Sequence, residues 1–473
     1  MDIRFECPNC GQHLTVDAEG SGFLLHCPSC EKPIRIPTET PARCTADVSR
    51  SFKRSFPLSL LILLGAVIVV LVFFGIPRSL KRESVIPVDQ SNFSLTPTSL
   101  QKSRAYLLIT CEKLVGCFQP LIHLRQQQDF SVAIRSIENI DRELEGRDLQ
   151  EKIRNCIRKQ QVQSARPLYV LLGGDDVIIP IRYCQAKPRA TSDIKAWVPS
   201  DLYYSDTSLG TWDADQDGRY GELGDDDSQV CLVPSVCLGR IPVREAEEAT
   251  GYVNKVLCYE NQAQARQGHS FLFLGGPAYM GDTYRRIVLP GCPDSRAVFL
   301  GEKPSTSIAK EFEALTPDNA VRLLNNGYDM VTYSGEGSEQ AWGWSNGAFG
   351  IAEAWALTNM QCLSVVRSGG CKTAWFDGAN DPCLAEAWLR NSRGGAVIYA
   401  GFARVLCHGP VAGGGQYQDE YYRKLFRTPG ISVGQAFMEM KQSMAKRSET
   451  SRWHQHGYML LGDPAIVPVR FPR

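Results

Sequence analysis

Neither sign of charge is in excess in this chain: Lys and Arg total 51, Asp and Glu total 51, and the formal net charge is zero. That balance removes the basic surplus expected of a nucleic-acid binder and the acidic surplus expected of a disordered tail, so no nucleic-acid partner is expected. Histidine is scarce as well. Its seven positions are His13, His26, His123, His269, His408, His454 and His456, which leaves few places for chemistry that needs an imidazole near neutral pH. Cysteine is not scarce: of 17, four lie in the first thirty residues, Cys44 stands in a linker and twelve follow a long apolar run. Two groups separated in this way suit two redox compartments. At 473 residues the chain is long for one core, and about three units are expected.

Cys7-Pro8-Asn9-Cys10 and Cys27-Pro28-Ser29-Cys30 form two CxxC pairs separated by sixteen residues. This is the spacing of a four-cysteine zinc site, in which thiolates hold Zn2+ at about 2.3 Å and supply the folding energy that so short a piece lacks. Residues 1–40 therefore read as a zinc ribbon with Cys7, Cys10, Cys27 and Cys30 as structural zinc ligands. A redox dithiol pair and two disulfides are the alternatives. Residues 41–56 read as linker. Residues 57–77 read as a transmembrane helix, because Leu58 to Ile76 is nineteen residues without a charge, about 28 Å of helix and close to the hydrocarbon thickness of a bilayer. Arg50, Lys53 and Arg54 before the run nearly balance Arg78, Lys81 and Arg82 after it, so loop charge does not decide the orientation. Thiolate ligands last best in a reducing compartment, which puts the ribbon in the cytoplasm and the large domain outside, beyond a polar tether at residues 78–103.

The large domain alternates strand and helix signals. Tyr106 to Thr110, Leu168 to Leu172 and Phe271 to Leu274 read as buried strands, with a helix around Leu144 to Arg158. The pattern predicts two parallel-sheet α/β halves, residues 104–268 and 269–473, with a break near Gln262 to His269. In the second half Asp329 to Tyr333 and Leu363 to Val366 are apolar runs ending in the small-residue turns Ser334-Gly335-Glu336-Gly337 and Ser368-Gly369-Gly370-Cys371. With helix formers between them at Ala348 to Asn359, they read as a βαβ unit of parallel strands. Ligands of such sheets sit beyond the carboxyl ends of the strands, so Glu336 and Cys371 are expected to face one pocket. Elsewhere, Asp213-Ala214-Asp215-Gln216-Asp217-Gly218 is a DxDxDG loop followed by Glu222 and the run Asp225-Asp226-Asp227. Asp213, Asp215, Asp217 and Glu222 suit Ca2+, which takes six to eight oxygens, and equally suit a solvated acidic turn. An EF-hand is excluded, since its twelfth position is Gly224.

The segment around Cys371 resembles the gingipain family of cysteine endopeptidases, relatives of the caspases. The resemblance rests on Tyr333, Gly335, Gly337, Ser338, Glu339, Ala341, Trp342 and Gly343 in one loop, and on Cys371 and Phe376 in the next. It continues through Pro382 to Ala387, Gly395 to Ile398 and Leu461-Gly462-Asp463-Pro464. It implies a caspase-like α/β fold over residues 104–473, a polypeptide substrate or ligand, Cys371 as nucleophile, and an oxyanion held by the N–H groups of Cys371 and Gly337. It also implies a pocket-floor carboxylate at Asp201 that would select a basic side chain, against a plain helix-cap or turn role. One position departs from the pattern: Glu336 stands where the family has its catalytic histidine. A carboxylate has a reference pKa near 4.3 and disfavours a neighbouring thiolate, whereas an imidazolium stabilises one. His408, in the loop after Ala396 to Ala400, is the candidate for an imidazole supplied from another wall. The sequence thus poses two readings, a weak or altered cysteine endopeptidase and a pseudo-peptidase that binds polypeptide or signals to the ribbon.

Overall fold

Strands form wherever the apolar runs predict them, and in the large domain eleven of them join one sheet, with β15-β16-β17 and β8-β9 as small separate sheets. In chain order they are β5 (Arg104–Thr110), β6 (Phe130–Ser136), β7 (Leu168–Gly173), β8 (Tyr183–Cys184), β9 (Val198–Pro199), β10 (Cys237–Ile241), β11 (His269–Gly275), β12 (Ser295–Gly301) and β13 (Phe312–Ala314). There follow β14 (Met330–Ser334), β15 (Glu336–Gly337), β16 (Ala341–Trp344), β17 (Gly347–Gly350), β18 (Ser364–Ser368), β19 (Ala396–Phe402) and β20 (Tyr458–Gly462). The structure, a computed structural model, describes residues 104–164, 167–186, 197–262, 269–301, 312–406, 414–428, 430–445 and 449–468. Before them it describes the strands β1 (Asp2–Glu6), β2 (His13–Asp17), β3 (Leu24–His26) and β4 (Pro33–Arg35).

Met1–Ser94 and Leu95–Arg473 are separate units. In the first, β1 pairs with β2 and β3 with β4, both antiparallel. Each CxxC pair therefore falls in the connection of a two-stranded hairpin, although the four cysteines lie outside the described residues. The apolar run Leu58 to Ile76 lies outside them too. Among the described residues no helix is long and apolar enough to cross a membrane.

In the second unit the sheet order is β13-β12-β11-β14-β18-β19-β20-β10-β7-β5-β6. Neighbours are parallel except at one junction, where β19 and β20 run antiparallel. The two parallel-sheet halves expected from the sequence are thus present and continuous with each other. The last strand of the chain pairs with β10 of the first half, so two parallel blocks of opposite sense become one sheet. Central strands such as β7, β18 and β19 are buried along their whole length, as expected of parallel strands covered on both faces.

The sequence Leu461-Gly462-Asp463-Pro464 holds that junction. Gly462 has φ 124°, and a Cβ there would lie 2.5 Å from Val397 O. Only glycine fits. Asp463, fully buried, accepts from Arg125 Nε and Nη2 at 3.1 and 2.9 Å, and Arg125 also donates to Glu260 at 3.0 Å. A buried guanidinium shared by two carboxylates thus clamps the end of the chain to the first half.

Two helix expectations shift. The helix read around Leu144 to Arg158 begins at Leu149, where Asp148 accepts from the Glu151 N–H and caps it. The helix read over Ala348 to Asn359 shrinks to Ile351–Trp355. Its first part is β17, which completes the antiparallel hairpin β15-β16-β17. Burial overrides helix propensity here: Trp342 pairs across the hairpin with Phe349 and stacks on Tyr333, ring centroids 4.8 Å apart.

Candidate active site

Cys371 and Glu336 come together because β14 and β18 are parallel neighbours, and each strand exits into its small-residue turn at the same edge. The two turns touch. Gly369 N donates to Tyr333 O at 2.8 Å. A Cβ at Gly337 would lie 2.8 Å from Cys371 O, Gly370 Cα and Thr373 Cγ2 alike. Glycine at 337 is therefore fixed by the approach of the two loops.

The Cys371 loop is supported from below. Ser368 Oγ accepts from Trp342 Nε1 at 3.0 Å, Thr373 Oγ1 at 2.9 Å and Gly370 N at 3.2 Å. All three of Ser368, Thr373 and Trp342 are buried. Lys372 adopts φ 59°, a left-handed turn directly after Cys371. Backbone bonds from Lys372 N to Arg404 O and from Ala374 N to Phe402 O tie the loop to the end of β19. Arg404 in turn forms a bidentate pair with Asp377 at 2.9 and 2.6 Å and covers the Trp375 ring at 4.4 Å.

The Cys371 sulfur, half-buried, accepts from Leu406 N at 3.2 Å. Burial pushes its thiol pKa up; the Leu406 N–H opposes this, the Glu336 carboxylate adds to it, and Lys372 opposes it weakly. The thiol is held protonated by its surroundings. Glu336 itself is exposed, and its backbone carbonyl accepts from Tyr333 Oη at 2.6 Å. It lines an open cleft of about 780 Å³ with Gly275, Gly276, Leu315, Tyr333 and Trp344, beyond the ends of β11 and β14; Cys371, expected to face the same pocket, is not among its lining residues. The cleft is where the topology predicts a ligand.

A sequence profile described as Peptidase family C25 matches residues 99–469, and the chain belongs to that family. Among curated relatives, gingipain R2 of Porphyromonas gingivalis is 23% identical over 310 residues, 63% of this chain and 36% of the relative. Gingipain R1 of Porphyromonas gingivalis is also 23% identical over 310 residues, 63% of this chain and 27% of the relative. The chain thus spans about a third of the length of these relatives. The crystal structure of the Arg-specific cysteine proteinase gingipain R (RgpB) superposes with a TM-score of 0.58 at 18% identity, covering 77% of this chain and 78% of that one. The complex of the pro- and mature domains of Porphyromonas gingivalis RgpB gives 0.57 at 17% identity, covering 77% and 79%. At these identities the likeness is one of fold: a mixed α/β domain with a large, mostly parallel sheet.

Other sites expected from the sequence fall elsewhere. Asp201 is nearly buried, and both its oxygens accept from Arg240, at 2.9 Å from Nε and 2.7 Å from Nη2. Arg240 is itself fully buried, lies 5.3 Å from the Phe376 ring, and donates to the carbonyls of Gly174, Asp175 and Ile179. Asp201 is thus the counter-ion of an internal arginine; it stands at the turn into the helix Leu202–Ser205, where it makes no side-chain cap bond. Sequence reasoning missed Arg240 because a guanidinium inside a strand announces nothing about its partner. His408, like the zinc cysteines, lies outside the described residues. His456 is buried, with Nδ1 2.9 Å from Ser200 Oγ, and burial pushes its pKa well down, so it is a neutral core residue. The acidic loop does assemble: Asp213, Asp215 and Asp226 form one cluster, and Asp215, Asp217 and Glu222 a second. Asp226 is the member the DxDxDG pattern alone did not supply.

Proposed function

We propose that this domain binds polypeptide in the cleft beside Cys371 and turns it over feebly or not at all. The observation that carries the reading is the setting of the sulfur: a backbone N–H from Leu406, a carboxylate at 336, and a thiol pushed upward. Acyl transfer would form a bond between sulfur and the peptide carbonyl carbon, place negative charge on the oxygen, and expel an amine that needs a proton. A carboxylate lies about four pKa units below a thiol on reference values, so taking the thiol proton would cost roughly 6 kcal/mol. An ionised carboxylate also has no proton to give the leaving amine. Binding asks less: the cleft, the glycine wall at 337 and the rim carboxylate are all retained.

The test is Glu336→His in the full chain, read by iodoacetamide alkylation of Cys371 and by cleavage of fluorogenic peptides. General acid–base catalysis is worth about 10²- to 10⁴-fold, and a gain of at least the lower figure in both readouts is expected. No gain in either, or native cleavage that is lost on His408→Ala, would overturn the reading.

The N-terminal part belongs to the same proposal. The cysteine tetrad supports a ribbon with one structural Zn2+, and the nineteen apolar residues from Leu58 to Ile76 support a single membrane span, ribbon inside and peptidase-like domain outside. The ribbon would then pass on what the cleft binds. Zinc analysis of the purified chain and protease shaving of intact cells test the two halves of this: no metal, or a protected large domain, would sink them.

A further inference from the structure

Ala403 to Leu406 leave β19 as a strap lying against the Cys371 loop, and each of these residues is tied down. Ala403 N donates to Gly457 O at 2.9 Å, Arg404 O accepts from Lys372 N at 3.2 Å, and Val405 O accepts from Trp453 Nε1 at 2.8 Å. Leu406 N donates to the Cys371 sulfur at 3.2 Å. The guanidinium of Arg404, a residue only 6% exposed, grips both neighbours of the strap. It donates to both oxygens of Asp377 at 2.9 and 2.6 Å, to Ala403 O at 2.8 Å and to Trp197 O at 3.3 Å. An irregular segment has no ladder to hold it, so these bonds fix where the Leu406 N–H lies.

We propose that Arg404 is a positioning residue: by locking the strap it holds the Leu406 N–H on the Cys371 sulfur, where a thiolate needs a donor and the site lacks an imidazolium. This rests on the reading of Cys371 as the thiol of the cleft. A hydrogen bond to an ionised acceptor is stronger than one to its neutral form, so a fixed N–H favours the thiolate. Among the described residues the charged groups that bear on the sulfur are Glu336, which opposes the thiolate, and Lys372, which favours it. The strap also covers the sulfur, and cover alone raises a thiol pKa. The two effects have opposite signs. A loosened strap that only covered would admit water and lower the pKa, whereas a loosened donor raises it.

The experiment follows iodoacetamide alkylation of Cys371 against pH in the full chain, by mass spectrometry of the peptide that carries it. Arg404→Lys keeps the charge and gives up the fork that grips Asp377; Trp453→Phe removes the bond to Val405 O from the other side. In both, the profile should move up by about one pH unit. Alkylation at pH 7 should slow about threefold, since a tenfold loss of thiolate is partly offset by the greater nucleophilicity of a more basic thiol. Asp206→Asn strips the buried Arg154 of its carboxylate partner in the first half; it controls for general destabilisation and should leave the profile in place. Should the strap variants fail to fold, the native chain with isotope-labelled leucine answers the same question. The Leu406 amide resonance should follow the Cys371 titration and lose that response in Cys371→Ser. A profile that stays or moves to lower pH in the strap variants, or a Leu406 amide blind to the titration, overturns the role of the strap. None of these readouts needs cleavage, so a failed Glu336→His test leaves the strap shift standing, and an unmoved profile leaves the polypeptide-binding reading standing.

Discussion

The loop that carries Cys371 and the loop that carries Glu336 sit side by side, yet they are built differently. The first is bound through side chains: Ser368, Thr373 and Trp342 meet at one hydroxyl, and Arg404 with Asp377 closes the far end. The second is held through its backbone. Tyr333 Oη donates to the carbonyls of Glu336 and Gly343, each at 2.6 Å, and the pairing of β15 with β16 fixes residues 336 and 337. The side chain at 336 points to solvent and supports nothing. The residue at 336 can therefore change without disturbing the fold, whereas the Cys371 loop is tied into the core.

The largest effect that would break this contrast is the Glu336→His gain of about 10² or more in alkylation and cleavage. If it came with a marked change in thermal stability, the claim that residue 336 is structurally silent would fail. On the supporting side, Asp201→Asn leaves the buried Arg240 without its counter-ion, and a loss of about 3–5 kcal/mol is expected. Denaturant unfolding measures it. A loss under about 1 kcal/mol would return Asp201 to the role of a free pocket carboxylate. Next, Ser368→Ala removes the acceptor shared by Trp342 Nε1, Thr373 Oγ1 and Gly370 N, leaving Trp342 with Tyr399 Oη at 3.1 Å and Thr373 with the Gly370 carbonyl at 3.3 Å. A loss of about 1–3 kcal/mol follows, with Cys371 alkylation changed as the loop loosens. If Ser368→Ala left both stability and alkylation untouched, the hydroxyl would not be the organising point of that loop.

Much of this was legible in the sequence, for reasons that differ by residue. The parallel pairing of β14 with β18 could be read because both runs are apolar and β-branched and both end in glycine turns, a local signal. That placed Glu336 and Cys371 at one edge. The joining of the two halves was not legible, because pairing of β20 with β10 depends on a strand more than two hundred residues away and on the buried Arg125 that receives Asp463. The helix expected from Ala348 starts three residues late for a related cause: at Ala348 to Gly350 local propensity gave way to strand pairing, with Trp342 burying itself on Tyr333 and Phe349. Asp201 shows the same limit in the site. Its carboxylate was visible, and the arginine that occupies it was not.

The smallest effect discriminates most finely, since it asks how much of the thiol's inertness Glu336 causes. Burial is the first cause of the raised Cys371 pKa and the 336 carboxylate a later one, so Glu336→Gln should lower the value only in part. The alkylation profile should move toward lower pH, and the rate at pH 7 should rise about two- to five-fold, well short of what an imidazole would give. The sign extends to stability. A thiol whose pKa is raised in the folded state keeps its proton after the unfolded chain has released one. Its contribution is therefore complete below the ordinary thiol pKa and is lost as pH rises through the folded value. Removing the negative charge at 336 brings the two values closer, so Glu336→Gln should flatten the fall in stability above about pH 8.5, measured by urea unfolding across that window. A native chain and a Glu336→Gln chain with the same alkylation profile would assign the whole shift to burial. The base position would then be electrostatically silent as well as structurally silent, and the lack of a proton donor would alone account for a crippled peptidase.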